Sequence, residues 1–568
     1  MKLFSRHHIT EAHTHKMLDR RKFLELTSLS AAIAAAPNLL RPSSRPTAVG
    51  ATRPKQSAPS QQPTGSYNVR TYGALGDGST IDSPAINRAI DAASEKGGGT
   101  VYFPAGTYAS YSIRLKSNVG LYLDHGATIL AASVPLEGTT SGYDAAEPQN
   151  AAWEPFQDFG HNHWHNSLIW GEDLHNISIT GPGLIWGKGL SRGHDDDKNL
   201  PDTKKPGVGN KSIALKNCRI VQLRDFSVLE AGWFAVLATG VDNFVIENLT
   251  IDTNRDGIDL DCCRNVRVSN CTVNAPIDDA ICPKSSFALG YARATEDVTI
   301  ANCLVSAGYQ IGSVLDDTWK PIPDSYRPYA TGRIKFGTES NGGFRNITVT
   351  GCVFDNSRGF ALESVDGAKL EDITISDITM RNSFTSPFFL RLGARLRGPA
   401  GTKVGTLKRV LISNVTSSAA VQHPSSISGL HDFPVEDIRF SDIYLEQVGG
   451  ADAAMVQIVP PERDKEYPEP NMFGPLPATG FYIRHARNIE MSNVEIATLA
   501  ADPRPAFSLA DVNAADFFRV RVPQASSTTS PAPPAFALKN VSNFRVFGSQ
   551  SIHDTMLPTA TDETLYPT

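Results

Sequence analysis

Cysteine is sparse and comes late: there are seven among 568 residues, none before Cys218. The seven (Cys218, Cys262, Cys263, Cys271, Cys282, Cys303 and Cys352) are odd in number and include no C-x-x-C pair of zinc-ligand spacing. A disulfide-stapled small fold and a zinc ribbon are therefore excluded as organising principles. Basic excess is missing too. With 53 Lys and Arg against 59 Asp and Glu, the net charge is −6, and the chain carries no general footprint for nucleic acid. No apolar run is long enough to span a bilayer comfortably. What is present is glycine, 45 copies, and 40% hydrophobic against 20% charged residues, the composition of a folded protein.

The N-terminus reads as an address. Arg20 and Arg21 precede an uncharged, Ala- and Leu-rich run from Leu26 to Leu40. This pattern resembles a twin-arginine export signal over residues 1–40, which implies a periplasmic or secreted protein. Residues 41–65 are rich in Pro, Ser, Gln and Thr and read as a flexible linker.

From residue 66 one phrase recurs: a polar residue, alternating apolar residues, then a polar pair. It begins at Asn176, Asn243, Asn265, Asp297, Asn346 and Asp372, and later copies begin at Arg409, Asp437, Asn488 and Asn543. Alternation with period two is a strand with one buried face. The copies at Asn243 and Asn265 are 22 residues apart, and a turn that short cannot bury its own apolar face. Stacked turns can, so the fold expected over 66–560 is all-β, a single right-handed parallel β-helix. Asn and Asp at the corners fit, because both tolerate left-handed turns. The 49 residues from Asp297 to Asn346 imply a loop added to one coil. Cys271, Cys303 and Cys352 occupy equivalent places and are expected to stack as small apolar side chains. Within the N-terminal cap region, 66–110, Ser83 and Pro84 open a helical pattern (Ala85, Ile86, Ala89, Ile90, Ala93) closed by Gly97–Gly99. Ser83 reads as the N-cap, and the helix would cover the first coil.

Two phrases carry chemistry: Asn254-Arg255-Asp256-Gly257-Ile258-Asp259 and Ile277-Asp278-Asp279-Ala280-Ile281. Setting Ile258 beside Ile281 as inward-facing neighbours puts Asp256 next to Asp279 one coil on, about 4.8 Å away, with Asp278 adjacent. Three clustered carboxyls are unfavourable unless one takes a proton. An acid beside ionised partners is what glycosidic hydrolysis needs. Corner aspartates bracing turns are the alternative.

The stretch Ser66–Ala131, with Tyr72-Gly-Ala-Leu-Gly-Asp-Gly and Gly99-Thr-Val-Tyr-Phe-Pro, resembles the opening of polygalacturonase-type glycoside hydrolases, family 28. The Asp256 and Asp278-Asp279 phrases resemble that family's Asn-Thr-Asp and Asp-Asp motifs, with Arg255 where Thr is usual. The resemblance implies inverting hydrolysis of pectic polysaccharides or oligosaccharides. It makes Asp278 the general acid and has Asp256 and Asp279 hold and activate water. It also matches Lys284 to a lysine following the Asp pair. No cofactor or metal is implied, and a monomer is expected.

The chain departs from the family pattern in two places. Gly332 stands where the family has the His of Gly-His-Gly. Ala361 and Glu363 stand where it has the Arg and Lys that grip a substrate carboxylate, while Arg333 and Lys335 occur one coil early. Expected substrate contacts are therefore Asn254, Lys284, Arg333, Lys335, Glu363 and, as an aromatic wall, Trp164. An ionised Glu363 would repel a uronate. A rhamnogalacturonan-type hydrolase thus stays open, as do a lyase on the same scaffold and a non-catalytic glycan binder. His161, His163 and His165 alternate along the Trp164 loop without a companion acid at metal-site spacing. Arg391, Arg395 and Arg397 read as a solvated charged edge, and 460–477 as a long proline-rich loop over the cleft.

Overall fold

Alternating apolar residues, each run headed by Asn, Asp or Arg, wind into a right-handed parallel β-helix. The computed structural model describes residues 65–134, 142–192, 201–523 and 532–567. The segment expected to be an export signal, 1–40, and the expected linker up to residue 64 lie outside the described residues. All ten phrase heads named above, Asn176 through Asn543, sit in the left-handed region with φ between 54° and 60°. Their side chains continue the stack from coil to coil: Asn488 Nδ2 donates to Asp437 Oδ1 at 2.7 Å, and Asn543 Nδ2 to Asn513 Oδ1 at 3.0 Å.

Three ladders of short parallel strands form the walls. One runs through His175–Thr180, Arg219–Arg224, Asp242–Glu247, Arg264–Ser269, Thr295–Ala301 and Phe344–Thr350. A second runs through Ala127–Ala131, Leu184–Trp186, Ser227–Leu229, Thr250–Asp252, Thr272–Asn274 and Leu304–Ser306. The third carries the chemistry: Ile113–Arg114, Ile169–Glu172, Lys211–Lys216, Phe234–Thr239, Asp256–Asp261 and Ile281–Lys284. A bridge from Ile281 to Ile334 extends it to Lys335–Phe336, Phe360–Ser364 and Phe388–Leu392.

One apolar core fills the tube from Val69 to Ala560. Cys271, Cys303 and Cys352 stack within it, and all seven cysteines are buried and unpaired. Farther along, Phe360, Phe388, Phe440, Phe481, Phe507 and Phe536 form a second stack, with ring centroids 4.9–6.3 Å apart. Parallel strands place like on like, so one residue type can tile several coils.

Both ends are covered. The helix Ser83–Glu95 buries Ala85, Ile86, Ala89, Ile90 and Ala93 against the first coil. Its N-cap is Asp82, a correction to Ser83. The Asp82 carboxylate accepts the Leu75 and Gly76 amides at 2.7 and 2.9 Å, so it fastens the preceding loop instead of the helix terminus. At the far end Thr555–Leu565 turns back antiparallel on Phe536–Phe547, closing an edge that would otherwise stay open. Among the described residues no helix is long and apolar enough to cross a membrane.

Candidate active site

Asp256 opens its strand, and Asp278 and Asp279 lie in the turn just before Ile281–Lys284. Ile258 pairs with Ile281, and the Gly257 amide donates to the Asp279 carbonyl at 3.0 Å, so Asp256 and Asp279 share a register position. Gly257 permits this approach: a Cβ there would lie 2.3 Å from the Ala280 carbonyl oxygen. Carboxylate oxygens of Asp256, Asp278 and Asp279 all come within 4.8 Å of one another. They occupy unlike environments. Asp278 is the open one, its side chain 28% exposed, whereas Asp256 and Asp279 are 4% and 2% exposed.

Those environments separate the charges. Burial, with the nearby charges of Asp278 and Asp259, pushes the Asp256 carboxyl well above the usual carboxylate range. Burial also works against the charge on Asp279, but Lys335, Arg333 and Lys284 outweigh it and hold that carboxyl below the usual range. Arg333 Nε donates to Asp279 Oδ1 at 2.8 Å, and Lys335 Nζ lies 3.2 Å from Oδ2. Asp278 pairs with Arg255 Nη2 at 3.0 Å, and that guanidinium lies 5.1 Å from the Trp233 ring centroid. The result is one buried carboxyl pushed toward its neutral form, one clamped carboxylate and one solvent-facing side chain paired with Arg255 in a single trough.

Beside the trough lies a second buried cluster. Lys284 Nζ sits 3.7 Å from Asp259 and 3.4 Å from Glu339. His161 reaches over Phe234, its Nε2 3.8 Å from Asp259, and burial and Lys284 push its imidazole down to about 4. Burial pushes Asp259 up to about 8 and Glu363 up to about 7, and neither carboxyl has a hydrogen-bond partner among the described residues. Both therefore bind a proton more tightly folded than unfolded, where carboxyls titrate near 4. Stability from this source is full below about pH 4 and is lost as pH rises through about 7 and 8. Melting temperature is expected to fall between pH 5 and 9, and Glu363→Gln and Asp259→Asn to flatten that slope. Thermal scans of both variants that parallel the parent across this range would refute the assignment.

The sequence-derived contacts fare unequally. Asn254 is buried in the turn between Thr250–Asp252 and Asp256–Asp261, where the Thr253 hydroxyl donates to its Oδ1 at 3.4 Å. Lys284, Arg333 and Lys335 converge on the trough, but buried, with their charges already matched by carboxylates of the chain. Glu363 is 0% exposed and faces the Arg333–Lys335 side, so it is not an open surface for sugar. Trp164 requires correction: it is 2% exposed, packed with Trp233, Phe234 and Leu237, and its Nε1 donates to Thr239. It supports the floor and is not a cleft wall. The three histidines diverge, His163 toward Glu154 and His165 toward Glu147 and Glu172, because alternate residues of the loop face different neighbours. The arginine edge is also corrected: Arg391 is buried, Arg395 pairs with Asp366 and Arg397 with Asp158.

Gly332 has a backbone reason. Its φ is +53°, and a Cβ there would stand 2.1 Å from the Ser306 carbonyl oxygen. No histidine fits without moving the coil. Gly332→Ala is expected to cost about 1–3 kcal/mol, read as a lowered denaturation midpoint.

Several participants escaped the sequence. Glu469 receives Arg333 Nη2 and Arg358 Nη1, each at 2.8 Å. Tyr467 accepts from Lys335 at 3.2 Å and from Thr338 at 2.8 Å. Both project from the 460–477 loop. The only signal available was that loop's proline-rich composition and length between the phrases at Asp437 and Asn488, which do not specify a partner.

Residues 66–275 match the family model described as rhamnogalacturonase A/epimerase, pectate lyase-like, and residues 211–385 match that of a right-handed β-helix region. A probable polygalacturonase of Vitis vinifera is 25% identical over 342 residues, 56% of this chain and 61% of that protein. The chain thus spans about three-fifths of that relative's length. Among solved structures, the family 28 exopolygalacturonase of Yersinia enterocolitica superposes with a TM-score of 0.58 at 19% identity, covering 80% of this chain and 78% of that one. A hyperthermoactive exopolygalacturonase of Thermotoga maritima gives 0.51 at 21% identity, covering 68% and 88%.

Proposed function

We propose that this chain, a β-helix of polygalacturonase-like fold, is a glycoside hydrolase acting on pectic polysaccharides or oligosaccharides. One observation carries the reading: three carboxyls meet in one trough in three different environments, one buried and pushed up, one buried and clamped by cations, one open to solvent. Asp256 and Asp278 oxygens lie within 4.8 Å, a span that one bridging water closes, so a proton can pass between them. When substrate takes Arg255's place beside Asp278, the Asp256 proton passes to Asp278, the exposed member, which delivers it to the leaving oxygen. Asp256 is then ionised, and its environment makes it the stronger base, so it takes the proton of the attacking water. That returns the pair to its starting state. Asp279, kept negative by Arg333 and Lys335, orients the water and opposes the positive charge that develops on the sugar.

Water enters opposite the leaving group, so the product anomer is inverted. General geometry places two-carboxylate inverting sites at about 6.5–9.5 Å and retaining ones near 5–5.5 Å. The closer oxygens here belong to three carboxyls, not a facing pair. The twin-arginine segment supports action outside the cytoplasm.

The test is reducing-end release from homogalacturonan and rhamnogalacturonan, with and without chelator, and proton NMR of the first product. Release that ignores chelator, with inverted product, is expected. Chelator-sensitive release of ultraviolet-absorbing unsaturated ends would replace hydrolysis with elimination. A retained anomer would overturn the assignment of Asp256 as base to water.

A further inference from the structure

The 460–477 loop places a carboxylate of the chain itself in a ready-made carboxylate receptor. Arg333 presents Nη2 to Glu469 Oε1 at 2.8 Å and Nη1 to Oε2 at 3.3 Å, while Arg358 Nη1 reaches Oε2 at 2.8 Å. Two planar guanidinium groups on one carboxylate are the geometry that recognises acidic sugars. The same Arg333 holds Asp279 through Nε at 2.8 Å, so the receptor adjoins the trough through one guanidinium. Three cations (Arg333, Lys335, Arg358) are answered by Asp279 and Glu469. The receptor also opens to solvent where Glu469 fills it: that side chain is 24% exposed, and Arg358 behind it 16%.

The loop is fixed in place. Arg391 donates to the Glu462 and Arg463 carbonyls at 3.1 and 2.9 Å, and Arg484 to those of Pro460 and Pro461 at 2.9 and 3.0 Å. Phe473 lies between these two arginines, their guanidinium carbons 5.3 and 5.1 Å from its ring centroid, in an apolar cluster with Ala361, Phe389 and Leu476. Glu469 is therefore a permanent occupant, not the tip of a mobile lid.

We propose that Glu469 is the specificity-determining residue of the site: it fills the carboxylate receptor beside the trough, excludes a uronate there, and reserves that position for a neutral sugar. This rests on the reading of the trough as the glycan-cleaving site. A uronate entering beside Glu469 would bring like charges together and find both guanidinium forks taken. Removing the Glu469 side chain leaves the cations, shape and opening of a uronate subsite.

The experiment compares the parent, Glu469→Gln and Glu469→Ala by calorimetric titration at low salt with digalacturonate and with a rhamnose-terminated pectic disaccharide. Digalacturonate is expected to bind Glu469→Ala at least about tenfold more tightly than the parent, with the rhamnose ligand little changed. Arg358→Met, which keeps Glu469, should show no such gain. A folded Glu469→Ala or Glu469→Gln protein with unaltered digalacturonate affinity overturns the proposal. So does a parent that binds digalacturonate more tightly than the rhamnose ligand, a result that needs no variant to fold. Binding is read without bond cleavage. If the parent cleaves neither homogalacturonan nor rhamnogalacturonan while Glu469→Ala gains uronate affinity, the hydrolase reading fails and this one stands.

Discussion

Asp278→Asn is expected to lower turnover on the pectic substrate by about 10²- to 10⁴-fold while leaving the melting temperature close to that of the parent. The two halves of that result have separate causes. Asp278 is the one member of the trio that solvent, and hence a glycosidic oxygen, can reach, and an amide cannot deliver the proton. Its partner Arg255 is 34% exposed and stacked on Trp233, so losing the ion pair strands no buried charge. Asp279→Asn should behave differently, because it leaves Arg333 and Lys335, both nearly fully buried, short of an anion. Activity loss without stability loss at 278, and both losses at 279, is the pattern that a working trough produces. Unchanged turnover of purified Asp278→Asn would remove Asp278 as the general acid, and no turnover in the parent would reduce the protein to a glycan-binding scaffold.

Why the trough was legible while its surroundings were not follows from sequence distance. Asp256 and Asp279 are one coil apart, and the period-two alternation through Ile258 and Ile281 fixes their register before any coordinate is known. The corner asparagines were legible for a similarly local reason: a left-handed corner is a property of the residue and its two neighbours. Glu469 is 136 residues from Arg333, carried there by a loop whose path depends on Arg391 and Arg484 gripping its backbone carbonyls. No periodicity encodes such a contact.

Trp164 misled for a different reason. A tryptophan in a loop beside a cleft serves equally as platform or as foundation, and only packing against Trp233 and Phe234 decides between them. Gly332 looked like the loss of a functional histidine. Its positive φ and the Ser306 carbonyl against it show a backbone requirement that side-chain comparison alone could not display. Histidine does reach the neighbourhood, as His161, but from a loop on the N-terminal side and in contact with Asp259.

The largest expected change in stability is at Arg333. Its guanidinium is 1% exposed and joins two carboxylates, Asp279 on one side and Glu469 on the other, each of which has one further cation, Lys335 and Arg358. Replacing it by methionine keeps most of the volume but leaves each of these carboxylates with one cation instead of two, Lys335 at Asp279 and Arg358 at Glu469, in a low-dielectric setting, which costs about 3 kcal/mol. Asp279→Asn alone should also destabilise, by stranding the cation instead. The double variant Arg333→Met/Asp279→Asn removes both members of the pair and is expected to be more stable than the sum of the single effects by about 1–3 kcal/mol. Urea denaturation midpoints of the parent, the two single variants and the double variant measure that coupling. Lys335 remains beside position 279 in every variant, so its charge cancels from the cycle to first order. A cycle that closes additively would mean that Arg333 and Asp279 do not sense each other, and that the charge separation assigned to the trough has another source.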